Sequence, residues 1–205
     1  IEPHDWISET CHALIRVNNI VNDLNNDMWM YIANDIFSLK TIKDEVGSST
    51  MPHKVNPIDF ENSEGNIGLA NSMLNFFAEK LTISRLQRDL SDSTTLRNIG
   101  VAFGYSVISY KSTLKGLQKI TPNKNKINEE LDNNWIVLSE AVQTIMRLEN
   151  IENAYEKLKD LTRGKNLNKE QYLEFVENLD VTQKNKDYLK SLNPRNYIGV
   201  APKLK

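Results

Sequence analysis

Hydrophobic residues recur along the first part of the chain with the spacing of α-helices. Between residues 5 and 36 they return every three, four or seven positions, with no internal glycine or proline: Ile7, Leu14, Val17, Val21, Leu24 and Met28. The same periodicity continues over residues 58–81 and 93–117. In the second of these segments, one face carries Ile67, Ala70, Leu74, Phe77 and Leu81. The pattern therefore predicts three long helices.

Beyond Pro122 the periodic segments become shorter. They predict five helices, over residues 124–133, 135–148, 153–162, 169–178 and 182–191. Nowhere does the chain show the alternation of apolar and polar residues that is typical of strands. We therefore predict an all-α fold, with a helical-bundle domain over residues 1–121 and a small helical domain over residues 122–205.

The apolar stripes of the three long segments are broad. At the helical rise these segments would be about 36–48 Å long, and three such helices make an incomplete bundle. We expect chain upstream or other subunits to complete the core. Gly100 and Gly104 predict a place where a neighbouring helix approaches closely, and we interpret the many asparagines of residues 18–26 as solvent-exposed.

Composition narrows the classes of partner. A hydrophobic fraction of 40% and a net charge of −2 indicate an ordinary globular protein with no general affinity for nucleic acid or anionic membranes. The longest apolar run, about residues 99–108, is too short to span a bilayer, and no signal peptide is evident. Cys11 is the single cysteine, which excludes an internal disulfide and fits a reducing compartment, so we expect a cytoplasmic protein.

The segment GSSTMPHKVNP, residues 47–57, is different from everything around it. Its prolines deny it regular structure, and Gly47 permits backbone angles that expose neighbouring N–H groups. Lys54 offers a compact cation, and Asn56 an amide that can hold a carboxylate oxygen. Such a density of functional groups favours a binding or catalytic loop over a hydrophilic linker.

A second polar segment, residues 84–94, precedes the third long helix. Three residues there can cap a helix: Ser91, Asp92 and Ser93. Arg88 and Arg97 flank this start, and a helix N-terminus with two arginines can bind a phosphate group. The alternative is simple capping, with the arginines paired to Asp89 and Asp92.

Two further features have ordinary explanations. Glu61 lies in the first turn of the predicted second helix, where an acidic residue is common because of the helix dipole. His4 and His12 are eight residues apart with no third ligand near in sequence, so we predict no metal site.

GSSTMPHKVNP resembles the shared loop G-S-S-x-M-P-x-K-x-N-P of the fumarase/aspartase superfamily. Three further segments narrow the resemblance to the adenylosuccinate lyase family: PIDFENSEGN (57–66), QRDLSDSTTLRN (87–98) and NPRNYIG (193–199). The resemblance runs over essentially the whole chain, but it covers only the second part of that family's sequence. It implies a fragment that lacks the family's general-acid histidine and is inactive alone.

The resemblance implies a bundle of long helices in a homotetramer whose active sites are shared between subunits. It implies β-elimination of fumarate from adenylosuccinate, giving AMP, and from the carboxamide nucleotide SAICAR, giving AICAR. It implies no metal or organic cofactor. The alternatives are another fumarate-releasing lyase of the superfamily, whose substrates carry no phosphate, and a non-catalytic helical oligomerisation fragment.

The resemblance also implies roles for individual residues. Ser48 corresponds to the catalytic base, Lys54 and Asn56 to residues that hold the succinyl carboxylates, and Glu61 to the partner of the absent histidine. The positions that match substrate contacts are Ser49 and Asn62. Those that match the nucleotide phosphate site are Arg88, Ser93, Thr94, Thr95 and Arg97.

Overall fold

The computed structural model describes residues 2–40, 56–85, 89–162 and 167–204. Within them most residues are helical and only two short strands occur, which confirms the all-α class. The α-helices are α1 (Asp5–Ala33), α2 (Ile58–Lys80), α3 (Leu90–Leu96), α4 (Ile99–Lys119), α5 (Lys124–Asp132), α6 (Ser139–Leu148), α7 (Ala154–Thr162), α8 (Lys169–Glu177) and α9 (Gln183–Ser191). Short 3₁₀ helices cover Trp135–Leu138 and Ala201–Lys203.

Two departures from the predicted elements are local. The segment predicted as one helix over residues 93–117 is two helices, α3 and α4, separated at Arg97 and Asn98. Two three-residue strands were not predicted: β1 (Phe37–Leu39) pairs antiparallel with β2 (Ile120–Pro122), with Ser38 opposite Thr121. Strands this short contain too few residues to show an alternating pattern.

The chain forms two compact units, Ile1–Asn123 and Lys124–Lys205. In the first unit α2 packs against both α1 and α4. The predicted apolar face of α2 is confirmed, since all five of its residues are buried: Ile67, Ala70, Leu74, Phe77 and Leu81. Four of them, from Ala70 to Leu81, pack with Ile7, Cys11 and Ala102 at one end of the unit.

The predicted apolar stripe of α1 is only partly right. Val17 and Leu24 are 48% and 37% exposed, whereas the neighbouring Asn18 and Asn25 are buried. Our interpretation of these two asparagines as solvent-exposed is therefore wrong. They lie on the face of α1 that continues from Ile7 and Cys11 at spacings of four and seven, which is the face turned towards α2 and α4.

Buried hydrogen bonds join the three helices at these asparagines. Asn18 Nδ2 donates to Asn71 Oδ1 at 2.8 Å and to Ser106 Oγ at 3.1 Å. One layer further, Asn25 Nδ2 donates to Ser63 Oγ at 2.9 Å, and Thr113 Oγ1 donates to Asn25 Oδ1 at 2.8 Å. Buried polar groups are costly unless they find such partners, so the contacts favour one register of the helices.

The close helix approach expected at Gly100 and Gly104 is absent from the described residues, because no atom there beyond the adjoining turns of α4 itself lies within 4 Å of a Cβ built at either position. The close approach occurs instead at Gly116, where a Cβ would lie 2.8 Å from Cζ of the buried Phe60. Glycine at this position lets the start of α2 rest on the last turns of α4.

The second unit has a continuous apolar core. Its largest fully buried side chains are Leu138, Val142, Met146, Tyr172, Val176 and Leu189. The Tyr172 hydroxyl, buried at the centre, donates a hydrogen bond of 2.9 Å to Leu189 O. Burial raises the pKa of this phenol above its ordinary range, so it remains a neutral donor.

Candidate functional site

The described residues include seven of the predicted site residues, and these fall into two groups. Asn56, Glu61 and Asn62 lie at the start of α2, while Ser93, Thr94, Thr95 and Arg97 lie on or next to α3. The predicted base Ser48 lies outside the described residues, as do Ser49, Lys54 and Arg88. Their roles stay predictions.

Glu61 is held by a residue that the sequence did not indicate. Trp29, near the end of α1, donates a hydrogen bond of 3.1 Å from Nε1 to Glu61 Oε1. Both residues are exposed, so the carboxylate is oriented by the indole yet open to further partners. The two residues are 32 positions apart in the chain. Only the pairing of α1 with α2 brings them together.

Asn62 is tied to α4. Its Nδ2 donates to Ser112 Oγ at 3.0 Å, and Ser112 Oγ in turn donates to Asp59 O at 2.7 Å. The Asn62 carbonyl oxygen Oδ1 accepts from Asn66 Nδ2 at 3.2 Å. These contacts fix the amide while leaving the residue itself exposed.

A cluster of charged residues between the first turn of α2 and the end of α4 was also not predicted from the sequence. The buried Asp59 forms ion pairs with Lys119 and, at 3.2 Å, with Lys115. A small cleft beside it is lined by Lys40, Asn56, Asp59 and Lys119, among others. The only signal in the sequence was the spacing of two lysines four residues apart on α4, which is common on exposed helix faces.

For the second group of site residues, on or next to α3, the helix begins earlier than predicted. The N-cap of α3 is Asp89, whose carboxylate accepts hydrogen bonds from Ser91 N at 3.0 Å and Ser91 Oγ at 2.5 Å. A start at residues 91–93 is therefore wrong, because Asp89 already caps the helix. Hydrogen bonds from Ser91, assisted by Lys80 and Arg85, lower the pKa of Asp89 to about 2.

Among the described residues Asp89 and Asp92 form ion pairs with Lys80 and Arg85, and the expected partner Arg88 lies outside those residues. Lys80, at the end of α2, lies 3.5 Å from Asp89 and 3.1 Å from Asp92, and Arg85 lies 3.2 Å from Asp89. This leaves the side chains of Ser93, Thr94 and Arg97 exposed. Thr95 is instead buried and donates to Ser91 O at 3.0 Å.

The two groups lie at opposite ends of α2. Asn62 belongs to its second turn, and Lys80, which holds Asp92 next to the second group, is its last residue. Eighteen residues of helix separate them, or about 27 Å along the axis. One small molecule cannot touch both groups of a single chain.

Metal binding and membrane crossing find no support in the described parts of the chain. There, no three His, Cys, Asp or Glu side chains come close enough together to hold a metal ion. Each helix there also falls short of the length or hydrophobicity that crossing a membrane requires.

Comparison with known families matches two segments. Residues 84–198 match the family described as adenylosuccinate lyase C-terminal, and residues 1–70 match the family described as lyase. The first match contains α3, α4 and the second unit as far as Ile198. The second contains the start of α2 with Asn56, Glu61 and Asn62.

Individual relatives agree along the whole chain. Adenylosuccinate lyase of Buchnera aphidicola subsp. Schizaphis graminum is 55% identical over 204 residues, which are 100% of this chain and 45% of the relative. The enzymes of that name from Escherichia coli K12 and Haemophilus influenzae are each 54% identical, over 98% and 100% of this chain and 44% and 45% of their own lengths. The chain thus spans less than half of these relatives, and identity at this level over its full length shows that it belongs to the adenylosuccinate lyase family.

Proposed function

We propose that this chain is part of a lyase that eliminates fumarate from adenylosuccinate and from SAICAR, giving AMP and AICAR in purine nucleotide biosynthesis. The observation that carries the proposal is the loop GSSTMPHKVNP, present without interruption in a chain that matches adenylosuccinate lyases from end to end. A family fold retained only for structure would not need Ser48, Lys54 and Asn56 together.

We assign the steps of the elimination to different residues of the loop. Ser48 removes a proton from the succinyl carbon next to a carboxylate, for which its alkoxide must be stabilised by positive charge nearby. Lys54 supplies that charge. As the proton leaves, negative charge spreads into the carboxylate, where Lys54 and the Asn56 amide stabilise it more strongly than in the ground state.

The leaving purine nitrogen requires an acid, which we assign to a histidine outside residues 1–205. Glu61 pairs with that histidine and holds it in position. The hydrogen bond from Trp29 to one carboxylate oxygen supports this role, because it orients the carboxylate and leaves the second oxygen for the histidine.

The remaining predicted residues bind the substrate. Ser49 and Asn62 contact the succinyl-purine part, and the phosphate is held by Arg88, Ser93, Thr94 and Arg97. Thr95 is the exception, because its side chain is buried and its hydroxyl donates to Ser91 O. Exposure of Ser93 and Arg97, four residues apart on one side of α3, supports phosphate binding by side chains. The Asp89 cap argues against a contribution from the helix N-terminus itself.

We further propose that the active sites form between subunits of a cytoplasmic homotetramer. The separation of the two residue groups along α2 supports this, since a purine nucleotide is much shorter than that distance. The large apolar side chains on the outer face of α4 support it too. Val101, Val107, Ile108 and Leu114 are 45%, 47%, 48% and 59% exposed, as subunit contacts would require. Neither a metal nor an organic cofactor takes part in the proposed steps.

The base is tested by Ser48→Ala in a full-length protein, with Ser72→Ala on the exposed side of α2 as the matched control. Ser48→Ala should lower kcat for fumarate release by at least about 100-fold, the usual scale of a lost base, and leave nucleotide affinity unchanged. Fumarate release near the wild-type rate would show that another residue is the base.

The phosphate contacts are tested by Arg97→Ala, with the exposed Lys184→Ala as control. The ratio of kcat/KM for the nucleotide to that for its dephosphorylated nucleoside should fall by about 10-fold, as for one lost charged hydrogen bond. An unchanged ratio would remove Arg97 from the phosphate site. A panel of superfamily substrates, all assayed for fumarate, separates this activity from that of other lyases.

A further inference from the structure

Lys119, the last residue of α4, is buried, which is rare for a lysine. It is only 6% exposed, and an ammonium group taken out of water is costly unless a charged partner compensates. The partner is Asp59 in the first turn of α2, itself 9% exposed. Lys115 also reaches this carboxylate, but its side chain is 56% exposed. The inner pair is thus the one that the fold encloses.

The backbone of the same residue holds a second segment. Lys40 N donates a hydrogen bond of 2.8 Å to Lys119 O, directly after the register in which Leu39 faces Ile120. Lys40 Nζ also reaches Gln118 O at 3.4 Å. Lys119 therefore binds the chain on both sides of the predicted loop, through its carbonyl group at residue 40 and through its ammonium group at residue 59.

The start of α2 makes close contact with α4 around this pair. Ser112 Oγ donates to Asp59 O at 2.7 Å, and the fully buried ring of Phe60 rests on Gly116. Ser112 also accepts from Asn62. Asn56 directly precedes α2, and Glu61 and Asn62 lie in its first two turns, so the position of all three relative to α4 depends on the ion pair of Asp59.

We propose that Lys119 is a positioning residue for the elimination, acting through Asp59 on the first turn of α2. The inference rests on the proposed function, because it assigns Lys119 to the geometry of Asn56, Glu61 and Asn62. Catalysis depends on such geometry: a displacement of about 1 Å can cost about 100-fold in rate. The ion pair itself contributes little net stability, since removing both charges of a buried pair is often neutral.

The experiment compares four variants of a full-length protein: Lys119→Met, Lys119→Arg, Lys115→Met and the double variant Lys119→Met with Asp59→Leu. For each, kcat and KM for fumarate release and the midpoint of thermal unfolding are measured. Lys119→Met should lower kcat about 10- to 100-fold with a smaller change in KM. Lys119→Arg should recover most of that loss, and Lys115→Met should stay within about threefold of the wild type, since exposed ion pairs contribute little.

The double variant separates positioning from folding. It removes both charges, so its unfolding midpoint should return to near the wild-type value while kcat stays low. Recovery of kcat in the double variant would overturn the proposal, as would wild-type kcat in Lys119→Met or equal losses in Lys119→Met and Lys115→Met.

Amide hydrogen exchange gives a result that does not depend on activity. In Lys119→Met, the amides of residues 60–63 should exchange at least about 10-fold faster, while those of residues 74–80 at the other end of α2 keep their protection. A wild-type protein that releases no fumarate would refute the proposed function alone. Unchanged exchange at residues 60–63 would refute the anchoring by Lys119 whatever the activity.

Discussion

The two compact units bury different kinds of residue. Among the described residues, and apart from the phenol of Tyr172, the buried polar and charged side chains all belong to the first unit: Asn18, Asn25, Asp59, Ser63, Thr95, Ser106, Ser109, Ser112, Thr113 and Lys119. The core of the second unit is apolar, with one buried phenol bonded to a backbone carbonyl group. The second unit closes an apolar core, whereas the first unit also relies on buried hydrogen bonds between its helices.

The inner face of α4 shows why. All of its buried residues except Lys119 have small side chains, and five of them recur at spacings of three and four: Ala102, Ser106, Ser109, Thr113 and Gly116. Its large apolar residues face outward and are partly exposed. The small inner face lets α1 and α2 come close, and polar groups set their register. The outer face is where the proposed subunit contacts would supply the burial that this unit lacks.

Truncating the apolar core of the second unit should have the largest effect. Leu189→Ala removes a fully buried side chain and should lower the free energy of unfolding by about 2–5 kcal/mol, through lost burial and the cavity left behind. Urea denaturation measures the loss of stability. Amide hydrogen exchange, followed peptide by peptide, should place that loss within residues 124–205. Leu148→Ala, at a side chain 69% exposed, is the control and should cost far less.

A smaller loss is expected where the first unit is tightest. Gly116→Ala places a Cβ 2.8 Å from Phe60 Cζ, and the resulting overpacking should cost about 1–3 kcal/mol. Gly104→Ala on the same helix meets open space among the described residues, and should be neutral or stabilise the helix by up to about 1 kcal/mol. Equal effects of the two substitutions in urea denaturation would show that the contact with Phe60 is not limiting.

The buried hydrogen bonds of Asn25 provide a direct test of the difference between the polar interior of the first unit and the apolar core of the second. Asn25→Leu leaves Ser63 and Thr113 without their amide partner and should cost about 1–2 kcal/mol. Adding Ser63→Ala and Thr113→Val removes the unpaired groups, and most of the stability should return while the register is less well defined. Urea denaturation measures the first effect, and broadened NMR signals of α1 would report the second. A triple variant as unstable as Asn25→Leu would contradict this account.

Acid should weaken the second unit through Glu149. Hydrogen bonds from Thr182, with one from Asn185, hold the pKa of Glu149 below its ordinary value of 4.5. The carboxylate therefore stabilises the folded state fully above that value, and the stabilisation is lost as pH falls through the lower folded pKa. Glu149→Gln should lower the unfolding midpoint at neutral pH and reduce its fall below pH 4.5. The exposed Glu152→Gln should behave as wild type; identical pH profiles for all three proteins would exclude Glu149 as the titrating group.

The helices and the face of α2 could be predicted because their signal is local. α2 packs against both α1 and α4, and its inward residues from Ile67 to Leu81 are apolar and recur at the helical period. The stripe of α1 was predicted less well, because Val17 and Leu24 follow the same period as Asn18 and Asn25 but face outward. Periodicity identifies an apolar face, yet it does not say whether that face meets this chain or another.

The sequence by itself determined the all-α class, the family, and the residues expected to perform the chemistry, since GSSTMPHKVNP is a long continuous motif. Only the tertiary structure decided that Asp89 caps α3, that Trp29 orients Glu61, and that Lys119 joins Lys40 to Asp59. The contacts of Trp29 and Lys119 link residues that are far apart in the chain. Several adjacent residues could cap α3, and Asp89 is the one that also pairs with Lys80. Local sequence patterns do not predict these contacts, because the contacts become favourable only when separate helices pack against each other.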